Sequence, residues 1–243
     1  VNLLYLMRHG QAGTRDEYDR LSSLGQTQAR ALGVWLARQG IRFDAVWSGG
    51  LRRQQDTAAL VLDAMAEAGS PQPETRREPQ TDQRWNEFDL DAVYAAIAPQ
   101  MAGEDPAFRG HFEALLQAIG SGDAKIDRTW TPADTAVVRA WVAGRYPFGG
   151  ESWTGFVARV QSAARERLAE AGSGGRVAVF TSATPVAISM GLALPLAPGD
   201  MLRLAGTSLN SNVTILSVNE GRPQLFAFNC AAHLEDPSYR TFR

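Results

Sequence analysis

The chain has 243 residues, 44% of them apolar and 21% charged, with a net charge of −2. That composition suits a globular α/β protein; it supplies no electrostatic footprint for nucleic acid, and no apolar run reaches membrane-spanning length. Cys230 is the single cysteine, which excludes an internal disulfide or a cysteine metal cluster.

Val1 opens the chain without a Met and leads straight into a strand, so residues before it are expected to be missing. No signal peptide is visible, and a cytoplasmic location is the expectation. Asn2 to Met7 is an apolar run of buried-strand type that ends abruptly in Arg8-His9-Gly10. An imidazole and a guanidinium therefore stand at the carboxyl end of a strand, where open α/β sheets hold their ligands. An imidazole beside a fixed cation suits nucleophilic attack on an anionic group, phosphate first.

Leu21-Ser22-Ser23-Leu24-Gly25 leads into a helix of about fifteen residues, with Ala29, Leu32 and Leu36 near helical spacing and Gly40 as the stop. Phe43 to Ser48 is a second strand, followed by a glycine loop and a helix from Gln54 to about Ala68 with Arg52 and Arg53 at its start. Strand and helix in this alternation predict a parallel sheet. Gly69 to Pro79, rich in Pro and charge, is expected to be a loop. From residue 85 to about residue 150 the pattern turns helical, with segments Asp91–Ala98, Pro106–Ile119 and Pro132–Ala143. No linker or repeat marks a boundary, so residues 1–243 are expected to form one domain with a helical insertion at about 85–150.

Glu151 to Ala171 is an amphipathic helix, Gly172-Ser173-Gly174-Gly175 a turn, and Val177 to Phe180 a fully apolar strand ending in Thr181-Ser182-Ala183-Thr184-Pro185. A helix starting at Thr184 carries Pro185 in its first turn, where proline is tolerated, and offers free N–H groups to an anion at the same sheet edge as His9. Ser182 also suits a plain helix N-cap. Asn212–Val218 and Gln224–Asn229 are expected to form a hairpin through Asn219-Glu220-Gly221, with Ala231 to Arg243 closing the chain.

The ordered set of motifs resembles the histidine phosphatase superfamily, also called phosphoglycerate mutase-like. Leu6-Met7-Arg8-His9-Gly10 resembles its Arg-His-Gly signature, and Leu21 to Gly25 with Gln28-Ala29 resembles the segment that follows. Leu51 to Ala58 is similar to its second arginine motif, Gly150-Glu151-Ser152 with Arg159-Val160 to its Gly-Glu-Ser helix start, and Asn229 with His233-Leu234 to its late segment. The resemblance implies a three-layer α/β sandwich, mostly parallel, with helices on both faces. It implies a phosphohistidine mechanism with His9 as nucleophile, Arg8 and Arg53 as phosphoryl clamps and Glu87 as the acid for the leaving alcohol. No metal or cofactor is required.

One position departs from the family pattern. A second histidine normally follows the strand at Val177–Phe180, and here Ser182 stands in its place. A neutral hydroxyl donates a weaker bond to phosphate than an imidazolium does, which Thr181, Thr184 and the helix N-terminus are placed to offset, with Ala183 a further phosphate contact. Gln11, Thr184, Trp141 and Tyr146 are candidate substrate contacts, although the last two also suit the core of the insertion. His233 is expected to be structural and Cys230 a buried apolar side chain.

The leading expectation is a metal-independent phosphomonoester hydrolase acting on a phosphorylated small molecule or phosphoprotein. The alternatives are a weak or inactive member that binds a phosphorylated ligand, which Ser182 favours, and a mutase-type phosphoryl transfer. Neither the substrate nor the oligomeric state is legible in the sequence.

Overall fold

A computed structural model describes residues 2–70, 78–122, 130–172 and 174–242. Residues 71–77 of the expected loop, 123–129 of the expected insertion and Ser173 of the expected turn lie outside them.

β1 (Asn2–Arg8) runs through the middle of one sheet, parallel to β4 (Arg176–Thr181) on one side and antiparallel to β5 (Val213–Asn219) on the other. β2 (Ala45–Ser48) pairs parallel with β4, and the short β3 (Gln80–Thr81) pairs parallel with β2. β6 (Arg222–Cys230) closes the other edge antiparallel to β5, giving the order β3-β2-β4-β1-β5-β6. Only β5 runs against the rest, so the sheet is mostly parallel. Leu4 to Met7 and Val177 to Phe180 are buried on both faces, which is why each is an unbroken apolar run rather than an alternating one.

Helices cover both faces. α1 (Ser23–Arg38) and α2 (Arg52–Glu67) pack Leu32, Leu36, Val61 and Met65 against Tyr5, Met7, Ala178 and Phe180. On the opposite face, α6 (Trp153–Glu170) lays the Arg167 guanidinium 3.8 Å over the ring of Trp47, whose indole N–H donates to Glu170 at 3.1 Å. α7 (Ala183–Met190) starts directly after β4. The helix start is thus one residue earlier than Thr184. α8 (Pro198–Thr207) has no counterpart among the sequence expectations. Its Pro198-Gly199-Asp200 opening carries turn residues, yet proline fits a first helical position and Asp200 accepts from the Ala197 N–H at 3.2 Å. The expected hairpin joins β5 to β6 with Asn219 opposite Arg222, and Glu220 and Gly221 both take positive φ (50° and 74°), as a tight hairpin turn demands.

The chain divides into two compact units, one made of residues 1–87 with 159–242 and containing the sheet, the other of residues 88–158. The second unit is helical, with α3 (Leu90–Glu104), α4 (Pro106–Ser121) and α5 (Pro132–Val142). α3 continues past the expected end at Ala98 and through Pro99, because Val93, Ile97 and Met101 keep one buried face across the proline. The core of this unit is aromatic: Phe88 stacks on Trp141 at 4.7 Å, and Trp153 meets Trp141 edge-on at 5.7 Å. Trp141 is therefore a core residue, its N–H donating to the Glu151 carbonyl at 3.0 Å. The Tyr146 hydroxyl donates to Glu104 at 2.8 Å.

Candidate active site

The parallel register brings three strand ends level. Arg8 pairs with Thr181 and Ser48 with Phe180, so the residues that follow, His9, Gly49 and Ser182, share one edge of the sheet. The His9 N–H donates to the Thr181 carbonyl at 2.9 Å and the Gly49 N–H to that of Phe180 at 3.0 Å. The loop after β1 is then pressed onto the start of α1. A Cβ on Gly10 would run into the Gly25 carbonyl, and one on Gly25 into that of Gln11, so both must lack a side chain.

That loop leaves little freedom at residue 9. The Gly10 N–H donates to Thr57 Oγ1 at 3.1 Å and the Gln11 N–H to Gln28 Oε1 at 2.7 Å. The His9 carbonyl accepts from the Ser211 N–H at 3.2 Å and from Asn210 Nδ2 at 3.4 Å. Ser211 holds a left-handed φ of 56°, its hydroxyl paired with His233 Nε2 at 2.8 Å. Asn229 ties down the same stretch, accepting from the Leu209 N–H at 2.8 Å and donating to the Thr207 carbonyl at 2.9 Å.

The imidazole of His9 lies against two fixed partners. Nδ1 is 2.7 Å from the Gly10 carbonyl, which can only accept, so the assigned tautomer carries its hydrogen there. Nε2 keeps its lone pair and accepts from Arg53 Nε–H at 3.2 Å. Burial first, then the charges of Arg53 and Arg8, push the His9 pKa well below its ordinary 6.5. The ring is therefore neutral at physiological pH, with a nucleophilic nitrogen.

Arg53 is buried and held from behind. Its Nη1 donates to Asp19 Oδ1 at 2.9 Å, and its guanidinium lies 4.9 Å over the ring of Tyr18. Asp19 also accepts from the backbone N–H of Arg52 at 3.1 Å, so one carboxylate steadies both the arginine and the start of α2. Arg8 is arranged differently. Nη1 donates to the Ser208 carbonyl and Nη2 to that of Phe242 at 2.8 Å, while Nε, buried, has no hydrogen-bond partner among the described residues. Arg8 thus keeps its Nε–H, and the second hydrogen on each Nη, to offer a phosphoryl oxygen. An open cleft of about 380 Å³, lined by Glu17, Tyr18, Asp19, Arg20 and Arg52, adjoins Arg53 through Asp19.

Glu87 reaches the same edge. Its Oε2 accepts from the Thr184 N–H at 3.2 Å, and its charge bears on Arg8. The helix-start N–H expected to meet an anion is thus bonded to a carboxylate of the protein itself. The segment bearing Glu87 is anchored on several sides. Arg159 donates to the carbonyls of Arg84 and Asn86 at 2.8 and 2.9 Å, and Asn86 Oδ1 accepts from the Gly50 N–H at 2.6 Å. The Trp85 carbonyl accepts from Thr181 Oγ1 at 2.6 Å and Gln54 Nε2 at 3.2 Å.

Ser182 sits in the N-cap position of α7, but its hydroxyl caps no N–H; it accepts from Gln54 Nε2 at 2.9 Å. Gln11 is engaged too, its Oε1 accepting from the Ser22 hydroxyl at 2.9 Å. The structure therefore gathers Arg8, His9, Arg53, Glu87, Ser182, Ala183 and Thr184 around one sheet edge, whereas Trp141 and Tyr146 belong to the other unit. The site roles of Asp19, Gln54, Asn210 and Ser211 and the anchoring role of Arg159 have no place in the sequence reading. The small polar run Asn210-Ser211-Asn212 directly before an apolar strand is the one signal that mirrors the end of β1. Among the described residues no three His, Cys, Asp or Glu side chains gather as metal ligands, and no helix is long and apolar enough to cross a membrane.

The sequence model of the histidine phosphatase superfamily (branch 1) matches residues 4–122 and 120–231 of the chain. A 2,3-bisphosphoglycerate-dependent phosphoglycerate mutase of Methylorubrum populi is 43% identical over 76 residues, 28% of this chain and 35% of that protein. The chain thus matches about a third of the length of such curated relatives. The alpha-ribazole phosphatase of Shigella flexneri superimposes with a TM-score of 0.60 at 18% identity, covering 94% of this chain and 96% of that one. A mycobacterial glucosyl-3-phosphoglycerate phosphatase solved with inorganic phosphate gives 0.58 at 24% identity, over 96% and 99%. At such identities the likeness establishes the fold.

Proposed function

The chain belongs to the histidine phosphatase superfamily (branch 1), and we propose that within it the protein is a phosphomonoester hydrolase working through His9 without a metal ion. The observation that carries this reading is the fixed tautomer of His9, with Nδ1–H on the Gly10 carbonyl and the lone pair of Nε2 facing Arg53. Nε2 attacks phosphorus, a P–N bond forms, and the ester P–O bond breaks. Glu87 gives its proton to the leaving alkoxide. Water then attacks the phosphohistidine, returns a proton to Glu87, and frees phosphate and the neutral imidazole. Arg53, the Nε–H of Arg8 and the Ser182 hydroxyl stabilise the charge on the phosphoryl oxygens.

The substrate class is a phosphorylated small molecule, with its leaving group directed to the cleft of Tyr18, Asp19 and Arg52. The test is steady-state hydrolysis of p-nitrophenyl phosphate in EDTA by wild type and His9→Ala. Turnover that survives chelation and disappears in the variant supports the reading. A wild-type protein that turns over neither this nor a panel of phosphomonoesters is a phosphate binder instead. The local match to phosphoglycerate mutases favours one further reading, transfer between two positions of a phosphoglycerate. Product analysis with 3-phosphoglycerate separates them, since a mutase yields an isomer and a hydrolase yields inorganic phosphate.

A further inference from the structure

We infer that Gln54 is a positioning residue that makes the Ser182 hydroxyl a hydrogen-bond donor to the phosphoryl group, an inference that rests on the phosphatase reading. Gln54 is fully buried near the start of α2, and its amide makes three bonds. Oε1 accepts from the Leu51 N–H at 3.3 Å, and Nε2 donates to the Trp85 carbonyl at 3.2 Å and to Ser182 Oγ at 2.9 Å. The first two settle which way the amide faces. A peptide N–H can only donate and a carbonyl can only accept, so a flipped amide would set oxygen against oxygen at Trp85 and N–H against N–H at Leu51. Ser182 therefore meets an N–H, and its oxygen must be the acceptor.

The serine proton is then free for another group. Ser182 is 1% exposed, its hydroxyl caps no N–H of α7, and it has no hydrogen-bond acceptor among the described residues. A buried O–H donor without an acceptor is costly, and one whose oxygen already accepts an amide N–H is a stronger donor than a free hydroxyl. Strand register sets its place: Thr181 pairs with Arg8, so Ser182 stands level with His9. A phosphoryl oxygen on its way to Nε2 supplies the missing acceptor. Gln54 thus fixes the polarity of the one side chain that stands where an imidazole is expected.

The test measures the affinity for inorganic phosphate by calorimetry, alongside turnover, for wild type, Ser182→Ala, Ser182→Thr, Gln54→Met and the Gln54→Met/Ser182→Ala double variant. Ser182→Ala is expected to bind phosphate about ten-fold more weakly, the scale of a lost bond to a charged group, and Ser182→Thr within about two-fold of wild type because it keeps the hydroxyl. Gln54→Met is expected to lose about as much as Ser182→Ala, yet almost nothing further in the alanine background. The side-chain amide resonances of Gln54 should also move when phosphate is added to wild type and stay still in Ser182→Ala. Unchanged affinity in Ser182→Ala, an equal Gln54→Met loss in both backgrounds, or a Gln54 resonance that ignores phosphate overturns the proposal, and the last readout needs no Gln54 variant to fold. A wild type that binds phosphate with these ratios but hydrolyses nothing would remove the hydrolase reading and leave this one standing.

Discussion

Arg53 Nε donates to His9 Nε2 across 3.2 Å, so the lone pair of the proposed nucleophile and the proposed phosphate-binding cation are engaged with each other. The proposed attack on phosphorus would require that this bond be exchanged for one between the guanidinium and a phosphoryl oxygen. The exchange is short-range, because Asp19 and the Tyr18 ring hold the far side of the guanidinium in place.

Arg53→Lys tests that arrangement. An ammonium is a point charge without the planar fork, so one nitrogen must serve both Asp19 and a phosphoryl oxygen, where the guanidinium uses separate nitrogens. The expected loss in kcat/KM is about 10²–10³-fold, the scale of removing one transition-state donor, with thermal stability nearly unchanged. Steady-state kinetics with differential scanning calorimetry reads both.

The pH profile follows from the neutral ring of His9. With its pKa well below 6.5, kcat/KM should stay level as pH falls through 6.5, where an ordinary imidazole nucleophile would already be lost to protonation. An acid limb centred at 6.5 would contradict this.

Stability should show the same titration. His9 and His233 are both held below their unfolded value of 6.5, so beneath it the unfolded chain binds more protons than the folded one. Their contribution is complete above about 7 and is lost as pH falls from 6.5 toward the folded values. For His233, which burial pushes down to about 4, the loss is roughly 3 kcal/mol. Urea denaturation from pH 7.5 to 4 measures it.

Glu87→Gln should separate good leaving groups from poor ones. If the carboxyl protonates the departing oxygen, an alkyl phosphate loses about 10²–10⁴-fold in kcat, whereas p-nitrophenyl phosphate, whose leaving group needs little help, loses far less. Arg159→Met, which frees the carbonyls of Arg84 and Asn86, should give the same pattern in weaker form.

Gly25→Ala places a methyl against the Gln11 carbonyl. Backbone cannot move aside there as a side chain would, so a destabilisation of about 1–3 kcal/mol is expected, visible as a lower denaturation midpoint together with reduced kcat.

The parts of the fold legible in the sequence were those dictated by local pattern. The buried strands β1 and β4 are unbroken apolar runs, and the sharp change to Arg8-His9 at the end of one marks where chemistry belongs. Asp19 was not legible, because its meaning depends on Arg53, which lies far along the chain and is brought to it only by the packing of α2. Gln54 looks like an ordinary helix-surface residue until tertiary structure buries it between Leu51, Trp85 and Ser182. Ser211 gives no warning of a positive φ, and α8 hides behind residues that usually make turns. Ser182 was visible as a departure from pattern, whereas the direction of its hydroxyl needed the amide of Gln54 to define it.

The central place of β1 also sets an order of events in biosynthesis. Its neighbours on either side come from residues 176–181 and 213–219, and the carbonyl of His9 is gripped by Asn210 and Ser211. A chain that emerges from the ribosome amino end first must keep this apolar strand waiting until residues 176–181 and 213–219 have been made. With Arg8 further tied to Phe242, the site geometry around His9 depends on residues more than 200 positions further along, and fragments that stop before the hairpin of β5 and β6 are expected to expose β1 to chaperones and to aggregation.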